Sequence, residues 1–165
     1  MQVALGRKGD YALRAVLELA RSYGTGRRKT REIATEMDIP GSYLPQILAE
    51  LVRAGLLTAQ AGPDGGYSLA RPPAQITLLE VVEIAEGEVG LAQCVIRGGP
   101  CDWERACPVH EPWARAQAAV RRELGATTFA DLVATDRAIR EQHYLPPNAG
   151  HLLPTPRRAG RSRPH

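Results

Sequence analysis

The chain has 165 residues, 44% of them hydrophobic and only 5% aromatic, which predicts one modest domain, or one domain with an appendage, and a core of Ala, Leu, Val and Ile. No apolar run approaches the ~18 residues of a membrane-spanning helix, and the N-terminal segment MQVALGRKGDYALRA lacks the features of a signal peptide, so we expect a cytoplasmic protein without membrane contact. The net charge of +3 arises after residue 141, where four arginines and no acid occur.

The first 87 residues predict a three-helix unit followed by a β-hairpin and a fourth helix. The helical segments carry apolar residues at helical spacing, and a Gly/Pro/Asp-rich turn separates two short strand-like runs. The expected elements are helices over 11–22, 31–38 (capped by Thr30) and 43–55 (capped by Ser42), strands over 56–60 and 67–70, and a helix over 78–87 capped by Thr77. This order is typical of a winged helix–turn–helix, so the expected fold class is mainly α with a small β-hairpin wing.

The second half of the chain predicts two more helices. The first is long, from about Pro108 to Leu124, and a second begins near Thr128, which forms a capping-box pattern with Asp131. One face of the long helix is apolar and consists of Val109, Trp113, Ala116, Val120 and Leu124. From 141 onward the chain is rich in Pro, Gly and Arg without an apolar period, which predicts disorder.

A helix–turn–helix places its second helix in the DNA major groove, with the first residues of that helix at base edges. A Gln at such a position can pair bidentately with adenine, and basic residues nearby contact phosphates. The expected DNA contacts are Ser42, Tyr43 and Gln46 on this helix, Gly62, Gly65 and Gly66 at the tip of the wing, and Arg28, Lys29 and Arg31 in a basic cluster with Arg27. The alternative is a helical bundle whose polar surface is merely solvated.

All three cysteines lie within the segment CVIRGGPCDWERACPVH, residues 94–110. Their wide, Gly- and Pro-rich spacing differs from the C-x-x-C of zinc ribbons and suits a loop around an iron–sulfur cluster. Cys94, Cys101 and Cys107 leave one coordination position open, for which His110 and Asp10 are the candidates. A zinc site, a metal-free thiol switch and buried structural cysteines are the alternatives.

The segments GDYALRAVLELA, TREIATEMDIPGSYLPQILAELVRAGLL and AGPDGGYSLARPPAQITLLEVVEIAEG, with the cysteine loop, resemble the Rrf family of winged-helix repressors over about residues 5–135. This family includes the iron–sulfur regulator IscR and the nitric-oxide sensor NsrR. The resemblance implies a homodimer held by the long helix, a cluster near the dimer interface, and cluster-dependent binding to double-stranded operator DNA. The signal sensed would be redox state, iron supply or nitric oxide.

The resemblance also implies ligands for the cluster. Cys94, Cys101 and Cys107 match the three cluster cysteines of the family. His110 matches the histidine ligand of IscR-like members, which hold a 2Fe–2S cluster. Asp10 matches the acidic ligand that NsrR-like members supply from the partner subunit to a 4Fe–4S cluster. We favour His110 and a 2Fe–2S cluster, because this histidine is close to the last cysteine in the chain.

Two departures from the family pattern concern DNA reading. Pro45 replaces a polar base-reading residue of IscR-like members, and Ala61 stands where those carry a wing arginine, so their operator sequence is not implied for this chain. The expected organisation is a DNA-binding domain at 1–87, a cluster loop at 88–107, dimerisation helices at 108–140 and a tail at 141–165. We expect no enzyme, because the chain shows neither a nucleophile–base pair nor a phosphate loop. The competing function is a small zinc-binding or thiol-switch protein without a cluster.

Overall fold

The computed structural model describes residues 5–88 and 107–141. The chain divides into two units, Met1–Ala134 and Thr135–His165. The helices are α1 (Arg7–Arg21), α2 (Thr30–Glu36), α3 (Leu44–Arg53), α4 (Leu78–Glu86), α5 (His110–Ala126) and α6 (Phe129–Arg140), and the strands are β1 (Leu57–Gln60) and β2 (Gly66–Leu69). They confirm the mainly α fold with a β-hairpin. None of the helices in the described ranges is long and apolar enough to cross a bilayer. The predicted disorder after 141 lies outside the described residues.

The core of the first unit lies where α1, α3 and α4 pack against one another. Its buried side chains include Val16 and Leu19 from α1, Leu48 and Leu51 from α3, and Val81 from α4. Phe129 is completely buried at the start of α6, and its N–H donates to the carbonyl of Ile76. The N–H of Leu78 donates to the carbonyl of Thr127 at 2.8 Å. These two bonds tie the α5–α6 junction to the start of α4. In the second unit, Arg140 pairs with Asp136 on α6 at 3.2 Å.

Helix α1 begins at Arg7, earlier than the predicted start at Tyr11. The cause is a cap from elsewhere in the chain: the N–H of Gly9 donates to the carboxylate of Glu86 at 2.7 Å. A carboxylate at a helix N-terminus satisfies an unpaired N–H and complements the helix dipole. A Cβ on Gly9 would lie 2.6 Å from that carboxylate, so a larger residue here would displace the Glu86 side chain from its cap position.

The predicted cap of α2 is wrong. Thr30 is the first helical residue, and Lys29 occupies the cap position. The N–H of Lys29 donates to the carboxylate of Glu32 at 2.9 Å. The acid in the first turn therefore stabilises the start of α2 by reaching back to the backbone, and no threonine hydroxyl is needed.

The predicted cap of α3 is also wrong. Ser42 lies one residue before the cap position, which Tyr43 occupies, and α3 starts without a side-chain cap. The N–H of Tyr43 donates to the carbonyl of Pro40 at 3.0 Å, so a backbone turn leads into the helix. Pro45 lies in the first turn, as predicted, where its missing N–H costs little.

The other two predicted caps are confirmed. The Thr77 hydroxyl accepts from the N–H of Glu80 at 3.3 Å at the start of α4. At the start of α6, the Asp131 carboxylate accepts from the Thr128 hydroxyl at 2.6 Å and from its N–H at 2.9 Å. These hydrogen bonds from Thr128 lower the pKa of Asp131.

Candidate nucleic-acid interface and cluster site

Helix α3 has a buried side and an open side, and the predicted base-reading residues lie on the open side. Leu44, Ile47, Leu48 and Leu51 are buried. Ser42 and Gln46 are exposed, and Tyr43 is 54% exposed. Pro45 is exposed beside them. The arrangement leaves the N-terminal part of α3 accessible to a large partner.

The N-terminal part of α1 lies beside this surface. The rings of Tyr11 and Tyr43 have centroids 6.2 Å apart, and the guanidinium of Arg14 lies over the Tyr11 ring. A cleft of about 260 Å³ opens between the two helices. Its lining consists of Arg7, Lys8, Tyr11, Tyr43, Gln46 and Ile47. Basic and aromatic side chains from α1 therefore adjoin the predicted base-reading residues of α3.

An ion pair joins these helices at the edge of the cleft. The Lys8 ammonium lies 2.6 Å from Oε2 of Glu50, which is on α3 one turn beyond Gln46. The hydrogen bond from Lys8 is the main cause that lowers the pKa of Glu50; the charge of Lys8, a hydrogen bond from Gln46 and the charge of Arg53 lower it further, against desolvation. The pairing of Lys8 with Glu50 has no signal in the sequence, because it depends on how α1 packs on α3.

The wing is the β1–β2 hairpin, in which Leu57 pairs with Leu69 and Gln60 with Gly66. Gly66 has φ +141°, and a Cβ there would lie 2.6 Å from the carbonyl oxygen of Arg28. A Cβ on Gly65 would lie 2.3 Å from the carbonyl oxygen of Gln60. At both positions a side chain would clash with the backbone of the protein itself, so both glycines are explained without a contact to DNA.

Gly62 differs from the other two wing glycines. It adopts φ +105° and has open space around the position of a Cβ. Of the three glycines predicted to contact DNA, Gly62 is the one at which a Cβ would not clash with the hairpin.

The basic cluster is divided between inward and outward side chains. Arg28 Nη2 lies 2.9 Å from Oε1 of Glu18, which is only 5% exposed on α1. The backbone of Arg28 also pairs with Tyr67 of the wing, in hydrogen bonds of 2.8 and 2.9 Å. Lys29 and Arg31 are exposed, and neither forms an ion pair within the described ranges. Of the three predicted phosphate contacts, Lys29 and Arg31 are the accessible ones, while Arg28 braces the wing against α1.

Cys107 and His110 lie together at the start of α5. His110 is the first helical residue, and its N–H donates to the carbonyl of Cys107 at 3.2 Å. Cys107 is half-buried and has a free thiol. Cys94 and Cys101 lie outside the described residues, and within those residues no three His, Cys, Asp or Glu side chains form a metal-binding group.

Asp10, the alternative fourth ligand, lies in the first turn of α1. Both of its oxygens face Arg14: Nε lies 3.0 Å from Oδ1 and Nη2 lies 2.7 Å from Oδ2. Arg14 also donates to the carbonyl of Met37 at 3.3 Å. The carboxylate of Asp10 is therefore already occupied by a guanidinium.

Helix α5 lies against α4 but leaves an apolar face open. The Arg121 guanidinium pairs with Glu83 of α4, and no residue of α5 is fully buried. On the predicted dimerisation face, Val109 is 42% exposed and Val120 is 37% exposed. The rest of that face consists of Ala116, which is exposed, and Trp113 and Leu124, which are half-buried.

Residues 5–135 match the family model described as "Rrf2: Iron-dependent Transcriptional regulator". The HTH-type transcriptional regulator IscR of Klebsiella pneumoniae is 31% identical over 129 residues, which are 78% of each chain. Among solved structures, CymR of B. subtilis, titled the global cysteine regulator, has a TM-score of 0.69 at 30% identity and covers 81% of this chain and 98% of its own. T. potens IscR has a TM-score of 0.69 at 25% identity, with 88% and 94% coverage.

Proposed function

Because the chain belongs to the Rrf2 family of transcriptional regulators, we propose that it is a dimeric repressor whose affinity for operator DNA is set by an iron–sulfur cluster. The family and the names of the relatives indicate a DNA-binding regulator and not an enzyme, as the sequence predicts. They also disfavour a zinc or thiol protein without a DNA role. We place the regulator in the cytoplasm, where thiols stay reduced and available as ligands.

The proposed DNA surface consists of the open side of α3, the wing tip and the outward basic residues. Ser42, Tyr43 and Gln46 are accessible together, which is what base reading in the major groove requires. Lys29 and Arg31 would contact phosphates, and Gly62 at the wing tip would allow the backbone to approach the DNA. The inward pairing of Arg28 with Glu18 makes this arginine a support of the wing.

The observation that carries the cluster proposal is the pair formed by Cys107 and His110 at the start of α5. A cysteine sulfur and an imidazole nitrogen within one turn are donors that iron accepts. With Cys94 and Cys101 they form the proposed Cys₃His set for a 2Fe–2S cluster. Such a cluster supplies one-electron redox chemistry and reactivity with oxidants or nitric oxide when bound.

His110 fits the fourth position better than Asp10. Its backbone is already bonded to that of Cys107, so both donors leave the same turn. Asp10 would have to give up a two-point contact with Arg14 before it could bind a metal. The proposal therefore assigns a structural ion pair to Asp10 and a ligand role to His110.

A metal-free thiol switch is the second candidate, and one observation favours it. The fold matches CymR, the global cysteine regulator of B. subtilis, as well as it matches IscR, with a TM-score of 0.69 in both cases. A free, half-buried thiol at a helix N-terminus, as at Cys107, also suits reversible oxidation.

Anaerobic purification, a visible spectrum and iron and sulfide counts test these candidates. We expect a coloured protein with about two irons and two sulfides per chain. His110→Ala should lose most of the cluster absorption, because it removes the fourth ligand. Asp10→Ala and the neighbouring control Glu111→Ala should retain it.

Two outcomes would contradict the proposal. About four irons and four sulfides per chain, lost in Asp10→Ala but not in His110→Ala, would move the fourth ligand to α1. A colourless protein that contains zinc or no metal would reject the cluster. If its DNA affinity then changed reversibly with thiol oxidation, the second candidate would replace the first.

A further inference from the structure

Glu50 is placed between a cation and a base-reading residue. Its Oε2 lies 2.6 Å from Nζ of Lys8 on α1, and on α3 it lies four residues after Gln46, a spacing that makes the two side chains neighbours on one face of the helix. The Glu50 side chain is 20% exposed, whereas Gln46 is exposed and lines the open cleft. The three side chains thus form a short series that runs from α1 to the proposed DNA surface.

We propose that Glu50 is a specificity-positioning residue, which fixes the orientation of the Gln46 amide for base reading while Lys8 holds the Glu50 carboxylate in place. This inference rests on the proposed reading of DNA by α3. Glu50 would then help to determine the operator sequence without itself contacting DNA.

The chemistry of a carboxylate determines the orientation of the amide. The ammonium of Lys8 favours the ionised form of Glu50, and an ionised carboxylate can only accept hydrogen bonds. Gln46 must therefore direct its amide nitrogen, and not its carbonyl oxygen, towards Glu50. In solution a free glutamine side chain would sample both orientations and several rotamers.

The fixed amide keeps the groups that a base requires. A primary amide has two N–H donors, so one can serve Glu50 while the other remains beside the carbonyl oxygen. This pair of donor and acceptor matches the N7 acceptor and N6 donor of adenine in the major groove. Glu50 therefore prepares Gln46 for adenine before DNA arrives, which reduces the ordering that binding must accomplish.

The competing explanation is that Lys8 and Glu50 only tie α1 to α3. A charge exchange separates the two roles. The double variant Lys8→Glu with Glu50→Lys restores an ion pair between the helices, but residue 50 then carries a donor instead of an acceptor. The amide of Gln46 would turn its oxygen towards that donor, and its reading edge would be reversed.

The experiment is selection of bound sequences from a pool of random DNA duplexes by the full-length purified protein. The variants are Gln46→Ala, Glu50→Met, their combination and the charge exchange, with Glu123→Met on α5 as the control. Glu50→Met keeps the length of the side chain but removes the acceptor. Thermal unfolding of each variant shows whether it is folded.

We expect the unmodified protein to select a site with an adenine at one position of each half-site. Gln46→Ala and Glu50→Met should each reduce this preference by roughly tenfold, and the combination should reduce it no further, because both remove the same interaction. The charge exchange should regain the thermal stability but not the preference. Glu123→Met should select the original site.

The inference is overturned if Glu50→Met selects the original site with the same preference, or if the charge exchange restores both stability and preference. If the unmodified protein selects no site, both this inference and the proposed DNA reading fail. If only the cluster proposal is wrong, the iron and sulfide counts will show it, and the DNA sequences that the protein selects will not change.

Discussion

Glu18 is a buried acid on α1 that pairs with two arginines, one of which connects it to the wing. It is 5% exposed on α1, and its two oxygens lie 2.9 Å from Arg28 Nη2 and 3.4 Å from Arg21 Nη1. Arg28 in turn carries the backbone pairing with Tyr67 of the wing. A buried charge is tolerated only when it is paired, so the position of the wing depends on this acid.

We expect Glu18→Ala to destabilise the fold by about 2 kcal/mol, because the partly buried guanidinium of Arg28 loses its nearer carboxylate and is left with Glu32 at 3.8 Å. Urea unfolding followed by circular dichroism measures this loss. Glu18→Gln keeps the shape and one hydrogen-bond acceptor and should lose less. The control Glu123→Ala removes an ion pair whose side chains are both more than two-thirds exposed, and it should be close to neutral. Equal stability of Glu18→Ala and the control would show that the ion pairs of Glu18 with Arg21 and Arg28 contribute nothing to the stability of the fold.

Among the α-helices of the described ranges, α5 is the one without a fully buried residue. It contacts α4 but has no fully buried residue, and Val109 and Val120 remain more than one-third exposed. Exposed apolar stripes on a long helix are typical of subunit interfaces. We therefore assign the apolar face of α5 to the proposed homodimer.

Val120→Glu should shift the protein from dimer to monomer, because it would bury a carboxylate in this interface. Light scattering after size-exclusion chromatography measures the mass. Ala118→Glu is the matched control, since residue 118 is exposed and lies about half a turn away on the same helix. A dimer that persists in Val120→Glu would place the interface elsewhere.

The order and type of the elements could be predicted from the sequence, whereas several of their starts could not. Apolar periodicity and turn residues indicate the six α-helices and the hairpin of the described residues, because these signals are local. Glu86 caps α1 from 77 positions away, and the pairing of Lys8 with Glu50 forms only once α1 packs on α3. In the sequence, Glu18 is notable only as an acid within the apolar run AVLELA. Its arginine partners could not be predicted, because they depend on the folded wing.

Charge is unevenly distributed along the chain. The segment after residue 141 carries four arginines and no acid, whereas acids and bases nearly balance before it. Arginines without acidic neighbours are attracted to DNA phosphates whatever the sequence. We expect this segment to add non-specific affinity to the sequence-specific contacts of α3.

Deletion of residues 142–165 should therefore make DNA binding less dependent on salt. Each phosphate contact contributes about 0.9 to the slope of log affinity against log salt concentration, so the loss of one contact or more is measurable. Fluorescence anisotropy with a fixed duplex over a salt series gives both slopes. Equal slopes for the full and shortened chains would mean that the segment touches no phosphate.

The hydrogen bond between Gly9 and Glu86 has a consequence for observing this protein. Glu86 is the last residue of α4, from which the chain continues into the cysteine segment. An amide proton exchanges with solvent only when its hydrogen bond opens. The exchange of the single Gly9 proton therefore reports how often the contact between the first turn of α1 and the last turn of α4 opens. The first turn of α1 thus contains a natural reporter of the end of α4, which requires neither a label nor a substitution there.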